Sequence, residues 1–211
     1  MQHVVNSILV ADGRPDRVLT QFIDRLMAIH CPCLFRPTDF VDDYPEAVVG
    51  LAQRVRHALR QYPADIVFVH RDAELRGAVS QREQEIAAAV AALPTPKPVI
   101  AVVPVRMTEA WLLADEHAIR RAAGNPQGAV PLALPAVHQI EAVDAKARLF
   151  EALRLAKDLG KRRTGKLRPE HLRHRVADYL DDFTLLRSLP SFARFEAAVQ
   201  GLFQSSAFLD A

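Results

Sequence analysis

The chain is short of cysteine, of long apolar runs and of the glycine-rich loops that cradle phosphate, and each shortage closes off a class of function. Cys31 and Cys33 are the only cysteines, with Pro32 alone between them. That spacing strains a direct disulfide and supplies two of the four ligands a structural zinc needs, so the pair reads as small apolar residues of a strand. No stretch approaches the roughly 20 apolar residues that span a bilayer. Met1-Gln2-His3 opens no charged-then-apolar leader, so the expectation is a cytoplasmic protein without membrane contact. No Gly-rich loop runs into Lys-Ser or Lys-Thr and no elbow motif surrounds a serine, which leaves P-loop and Ser-nucleophile chemistry without support. Internal repeats and low-complexity tracts are also missing.

What is present is a 211-residue chain that is 50% hydrophobic, enough material for a sizeable core. Val4 to Ala11 reads as a buried strand, and Pro15 opens a helix to about Ala28 with Val18, Leu19, Phe22, Ile23 and Leu26 as its apolar stripe. Cys31 to Phe35 reads as a short strand, Pro45 to Arg60 as an amphipathic helix, and Asp65 to His70 as a β-branched strand. Ser80-Gln81-Arg82-Glu83 matches a capping box for a helix reaching about Leu93. A fourth strand, Val99 to Val103, precedes a short helix capped by Thr108. Strands alternating with helices predict an α/β fold with a mainly parallel four-stranded sheet. After Gly124 the composition changes, so the expected organisation is an α/β domain over 1–124. A linker and helical extension over 125–211 follow, with helices near 144–159, 169–183 and 190–203.

Acidic residues stand just past the apolar runs. Asp12 follows Ile8-Leu9-Val10-Ala11, Asp72 and Glu74 follow Ile66-Val67-Phe68-Val69, and Glu109 comes soon after Val99 to Val103. In a parallel sheet those positions share the carboxyl edge, where α/β proteins bind ligands. Carboxylates gathered there suit a hard divalent cation such as magnesium or manganese. In extended backbone Asp72 and Glu74 share one side and can reach one ion, while Asp12 completes the shell or orients a water. Singly, Asp12 before Gly13 reads as a turn residue, Asp72 and Glu74 as solvated acids, and Glu109 as a first-turn acid favouring the helix dipole. Asp16, after Pro15, reads as a dipole partner. His70 reads as structural and Trp111 as core, whereas Arg71 either binds a substrate phosphate or neutralises the acids.

The run Val10-Ala11-Asp12-Gly13-Arg14-Pro15-Asp16, followed by a strand ending Arg71-Asp72-Ala73-Glu74, resembles the Toprim fold of topoisomerases, bacterial primases and OLD-type nucleases. Pro104 to Asp115, with Glu109, Trp111 and Asp115, more narrowly resembles the DUF4276 group of bacterial Toprim-like proteins. The resemblance implies that Asp12 takes the place of the general acid/base, Asp72 and Glu74 that of the metal-binding pair, and Glu109 that of a further site acid. Toprim domains usually carry Glu at the place of Asp12 and Asp at that of Glu74; both exchanges keep the charge and move the carboxylate by one methylene.

From Arg154 to Arg175 nine basic residues face only Asp158 and Glu170, a surplus of seven in a chain whose net charge is +2. Lys161, Arg162, Arg163, Lys166 and Arg168, with Arg71, are the candidates for holding a DNA or RNA backbone through its phosphates. Aromatic residues are sparse among them, so base stacking finds no support. The alternative is a solvated basic face. Two functions from different classes stand: a magnesium- or manganese-dependent nuclease-like protein of a bacterial defence system, and a non-enzymatic module partnering a separately encoded ATPase.

Overall fold

In the computed structural model, which describes residues 4–158 and 168–205, the two most apolar runs lie side by side in the middle of a sheet. Strand β2 (Ser7–Val10) and strand β5 (Ile66–His70) are buried at every position, as strands covered on both faces must be. They pair in parallel, Ile8 with Val67 and Val10 with Val69. β4 (Asp39–Val41) adds to the outer side of β2, and β6 (Val99–Val102) to the outer side of β5, both in parallel. The order is β4-β2-β5-β6. The chain therefore leaves β2 toward one side and reaches β5 on the other.

The molecule is thus α/β, with a four-stranded parallel sheet and helices between the strands. Helix α1 (Leu19–His30) buries Phe22, Ile23, Leu26 and Met27 and follows a 3-10 turn at Arg14–Val18. Helix α2 (Leu51–Gln61) packs on β2, and α3 (Val79–Ala91) on β6 and on α2. Right-handed crossovers require α1 on one face and α2 with α3 on the other, because the chain moves in opposite directions along the sheet.

Several local expectations are corrected. The strand at Cys31 shrinks to β3 (Leu34–Phe35), which pairs with β1 (Val4–Val5) in a separate two-stranded sheet, and both cysteines are half-buried free thiols ahead of it. Asn6 separates β1 from β2 because its N–H goes to Asp65 Oδ2 at 2.9 Å. The strand beside β2 is β4, three residues too short to stand out as an apolar run. It is fixed by Thr38, whose N–H and hydroxyl both donate to Asp24 Oδ1 at 2.8 and 2.6 Å. Helix α2 starts six residues later than Pro45, after Gly50 at φ +85, a conformation that only glycine adopts without strain. That leaves Val49 70% exposed. Ser80 does not cap α3: Ala78 holds the cap position, and Glu83 instead lies 3.5 Å from Arg194.

The described chain forms two compact units, Met1–Val103 with Arg194–Ala211, and Pro104–Ala193; the composition change after Gly124 falls inside the second. In the first unit Phe195 meets Phe68 edge to face with centroids 6.2 Å apart, and Glu196 lies 3.2 Å from His30. The second unit is helical: α4 (Glu109–Leu112), α5 (Glu116–Ala122), α6 (Ala145–Lys157) and α7 (Arg173–Asp178), with the start of α8 (Pro190–Gln204). Asp115 and Asp144 cap α5 and α6 through Ala118 and Ala147 N–H groups. Its core is aromatic, Phe192 sitting 5.2 Å from Trp111 and 5.0 Å from Phe183, with the indole N–H donating to Ser191 Oγ at 2.9 Å. Among the described residues no helix is long and apolar enough to cross a membrane.

Candidate functional site

The reversal of strand order between β2 and β5 marks, past their carboxyl ends, the crevice position where open parallel sheets bind ligands. Two loops fill it, the turn after β2 carrying Asp12 to Asp16 and the loop after β5 carrying Arg71 to Leu75. Their position is dictated by the burial of the strands beneath them.

His70, the last residue of β5, is buried at 2% exposure. Its Nδ1 lies 3.1 Å from the carbonyl oxygen of Val102. A carbonyl only accepts, so Nδ1 carries a proton and Nε2 turns toward the crevice. There Asp16 Oδ1 stands at 3.5 Å and Asp72 Oδ1 at 3.6 Å. Burial opposes a charge on the ring, but the hydrogen bond that the ring donates to Asp16 and the field of Asp72 outweigh it, and the histidine pKa is raised above its ordinary 6.5. Carboxylates from both loops thus meet on one imidazole. Asp16 also accepts the N–H of Gly13 at 3.2 Å, which shapes the turn.

Asp12 is half exposed and lies between two guanidinium groups. Arg54 of α2 donates to its Oδ1 at 2.7 Å, and Arg71 Nη1 lies 3.3 Å from both oxygens. Arg71 further reaches Glu85 at 3.6 Å, and Arg82 holds that same carboxylate at 2.9 and 3.0 Å. Arg82 Nε also donates to the backbone oxygen of Asp72 at 3.1 Å, tying α3 to the loop. The Arg82 hydrogen bond holds the Glu85 carboxyl below its usual range, and Glu85 in turn keeps the guanidinium protonated. Tyr44 lies under Arg54, its ring centroid 5.3 Å from the guanidinium carbon, and its hydroxyl donates to Val41 O. Burial pushes the phenol pKa up.

Asp72 and Glu74 flank Ala73, which is wholly buried, while Asp72 is half-buried and Glu74 exposed. The two carboxylates are not equivalent: Asp72 turns Oδ1 inward to 3.6 Å from His70, and Glu74 lies at the surface. Glu109 belongs to the second unit. There it is buried and accepts from Arg173 Nη1 at 2.9 Å. Arg168 is exposed, and Lys161, Arg162, Arg163 and Lys166 lie outside the described residues.

Among the described residues no group of three or more His, Cys, Asp or Glu side chains is set to hold a metal ion. Comparison with protein-family models, with curated proteins and with solved structures finds no match. Sequence reasoning set Asp16 aside as a dipole partner and His70 as structural, took Arg82 only as part of a capping box, and passed over Arg54 and Glu85. Arg54 is 42 positions from Asp12 and meets it only because α2 packs on β2.

Proposed function

We propose that the protein is a Toprim-like, magnesium- or manganese-dependent phosphodiester-processing protein of the nuclease type, working at the crevice between β2 and β5. The observation that supports it is the meeting of Asp16 and Asp72, from two strand ends, on the single nitrogen of His70 at the switch in strand order. The donor set does not form a closed cage of three protein ligands. It does fit magnesium, which takes one or two carboxylates and fills its other positions with water and phosphate oxygens. Asp72 and Glu74 would hold the ion. Bound there, it would supply Lewis acidity toward a phosphate and lower the pKa of a water.

The remaining roles fall to the chain's own groups. Asp12 orients the attacking water once a phosphodiester draws Arg54 and Arg71 away from it. Those guanidiniums then receive phosphate oxygens, for which their planar forks are suited. Glu109, bound to Arg173, is left out of this assignment. The basic segment from Lys161 to Arg168 holds the nucleic-acid backbone, in keeping with a cytoplasmic role in bacterial defence.

One observation favours a second reading. With two arginines on its carboxylate, Asp12 rests as a neutralised surface group, as in a non-enzymatic module that offers this edge to a separately encoded ATPase. Calorimetric titration of the full chain with magnesium and with manganese separates the two. Saturable binding that weakens at least about tenfold in Asp72→Ala, a loss of ~1.4 kcal/mol or more, supports the ion site; a wild type that takes up neither ion leaves the module.

A further inference from the structure

The opposite edge of the same sheet carries a cavity. A cavity of about 430 Å³ opens where β2, β5 and β6 begin, a size within the range of small-molecule pockets. Asn6 precedes β2, Asp65 precedes β5 and Lys97 precedes β6, so the cavity lies at the amino ends of the strands. It therefore shares no residue with the acidic crevice.

Its lining has two characters. Leu59, Pro63, Leu93 and Pro94 make an apolar wall, and the two prolines stiffen the loops that follow α2 and α3. Against it stand Arg56, Arg60 and Lys97. Among the described residues the one acid in the lining is Asp65, whose Oδ2 already accepts the N–H of Asn6 at 2.9 Å. Arg56 spends its Nε on the Ala52 oxygen at 3.3 Å, which leaves its terminal nitrogens for other partners. Among the described residues, three cations against one acid leave two positive charges. The carboxyl end of α2, beside Arg60, offsets about half a charge of this.

We propose that this cavity binds a small organic phosphate monoester, its apolar body against the proline and leucine wall and its phosphate among Arg56, Arg60 and Lys97. The charge decides the class: a phosphate monoester carries roughly −1.5 to −2 at neutral pH and matches the surplus, whereas a carboxylate supplies a single charge. A rigid, preformed wall reduces the ordering that binding demands. A ligand here leaves the acidic crevice open.

The test is calorimetric titration of the full chain at low salt with 1-naphthyl phosphate, alongside inorganic phosphate, 1-naphthol and 1-naphthoate. The expected result is one saturable site for 1-naphthyl phosphate, with each of the other three at least about tenfold weaker. Arg60→Gln with Lys97→Gln weakens 1-naphthyl phosphate by at least about tenfold. Arg71→Gln, at the other edge, leaves it unchanged. If the double variant fails to fold, Thr95→Phe, which narrows the cavity from an exposed lining position, produces the same loss. Absence of saturable binding, a comparison compound that equals 1-naphthyl phosphate, undiminished binding in the cavity variants, or loss in Arg71→Gln overturns the proposal.

Discussion

Replacing His70 with Gln removes the charge on which Asp16 and Asp72 meet while keeping a polar side chain of similar reach. Taking away one partner of a buried ion pair costs about 3–5 kcal/mol. Asp16 is 16% exposed and approaches that situation, whereas Asp72 is 42% exposed and water screens much of its share. The loss of the Nδ1 bond to Val102 adds about 1 kcal/mol. A net destabilisation of about 2–3 kcal/mol is expected below neutral pH. Its pH dependence carries the decisive information. The folded-state pKa of His70 is raised, so the native chain binds the proton more tightly than the unfolded chain. That stabilisation is complete below the ordinary value of 6.5 and is lost as pH climbs through the higher folded value. The gap between wild type and His70→Gln should therefore be widest near pH 6 and narrow as pH rises. Urea unfolding followed by far-UV circular dichroism between pH 5.5 and 9.5 measures it. A gap that stays constant over that range, or widens with pH, refutes a charged histidine between the two acids.

Two further predictions use different pairs. Arg173→Met strands the buried Glu109 carboxylate and should cost about 3–5 kcal/mol, with Glu109→Gln added to it restoring part of the loss; urea unfolding followed by the emission of Trp111, which lies in the same unit, reads both. Arg54→Gln frees one side of Asp12 and should tighten magnesium about two- to fivefold, the worth of a surface pair of up to ~1 kcal/mol; an unchanged dissociation constant in calorimetry removes Asp12 from the ion's surroundings.

Much of the fold could be read from hydrophobicity because burial of a central strand demands an uninterrupted apolar run. Ile8 to Val10 and Ile66 to Val69 form adjacent strands, and the loops bearing Asp12, Asp72 and Glu74 follow them onto one edge. Short-range rules were less reliable where a tertiary bond competes. Ser80-Gln81-Arg82-Glu83 has the capping-box spelling, yet Arg82 and Glu85 are drawn together over the β5 loop and the helix starts one residue before Ser80. β4 escapes notice because three residues are too few for a periodic pattern, and what holds it is the hydroxyl of Thr38 on Asp24. Asp16 was legible in part. Its bond to the Gly13 N–H is the local role its position at a helix start implies, whereas its approach to His70 requires a residue 54 positions away.

The pairing of charges at the crevice is the part no linear pattern discloses, and it changes what the acids mean. An acidic cluster alone repels itself and needs a cation; this one already has Arg54, Arg71, Arg82 and a histidine among its members. The pairs differ in how readily they open. Asp12 and Arg54 are 48% and 30% exposed, so separating them costs about 1 kcal/mol or less, within reach of a divalent ion or a phosphate. His70 is shut away from water, and Asp16, only 16% exposed, cannot give it up as cheaply. The edge therefore has one fixed element and one exchangeable element. His70 with Asp16 locks the β2 turn to the β5 strand end, and Asp12 with its two arginines is the part a phosphodiester or a metal ion can rearrange.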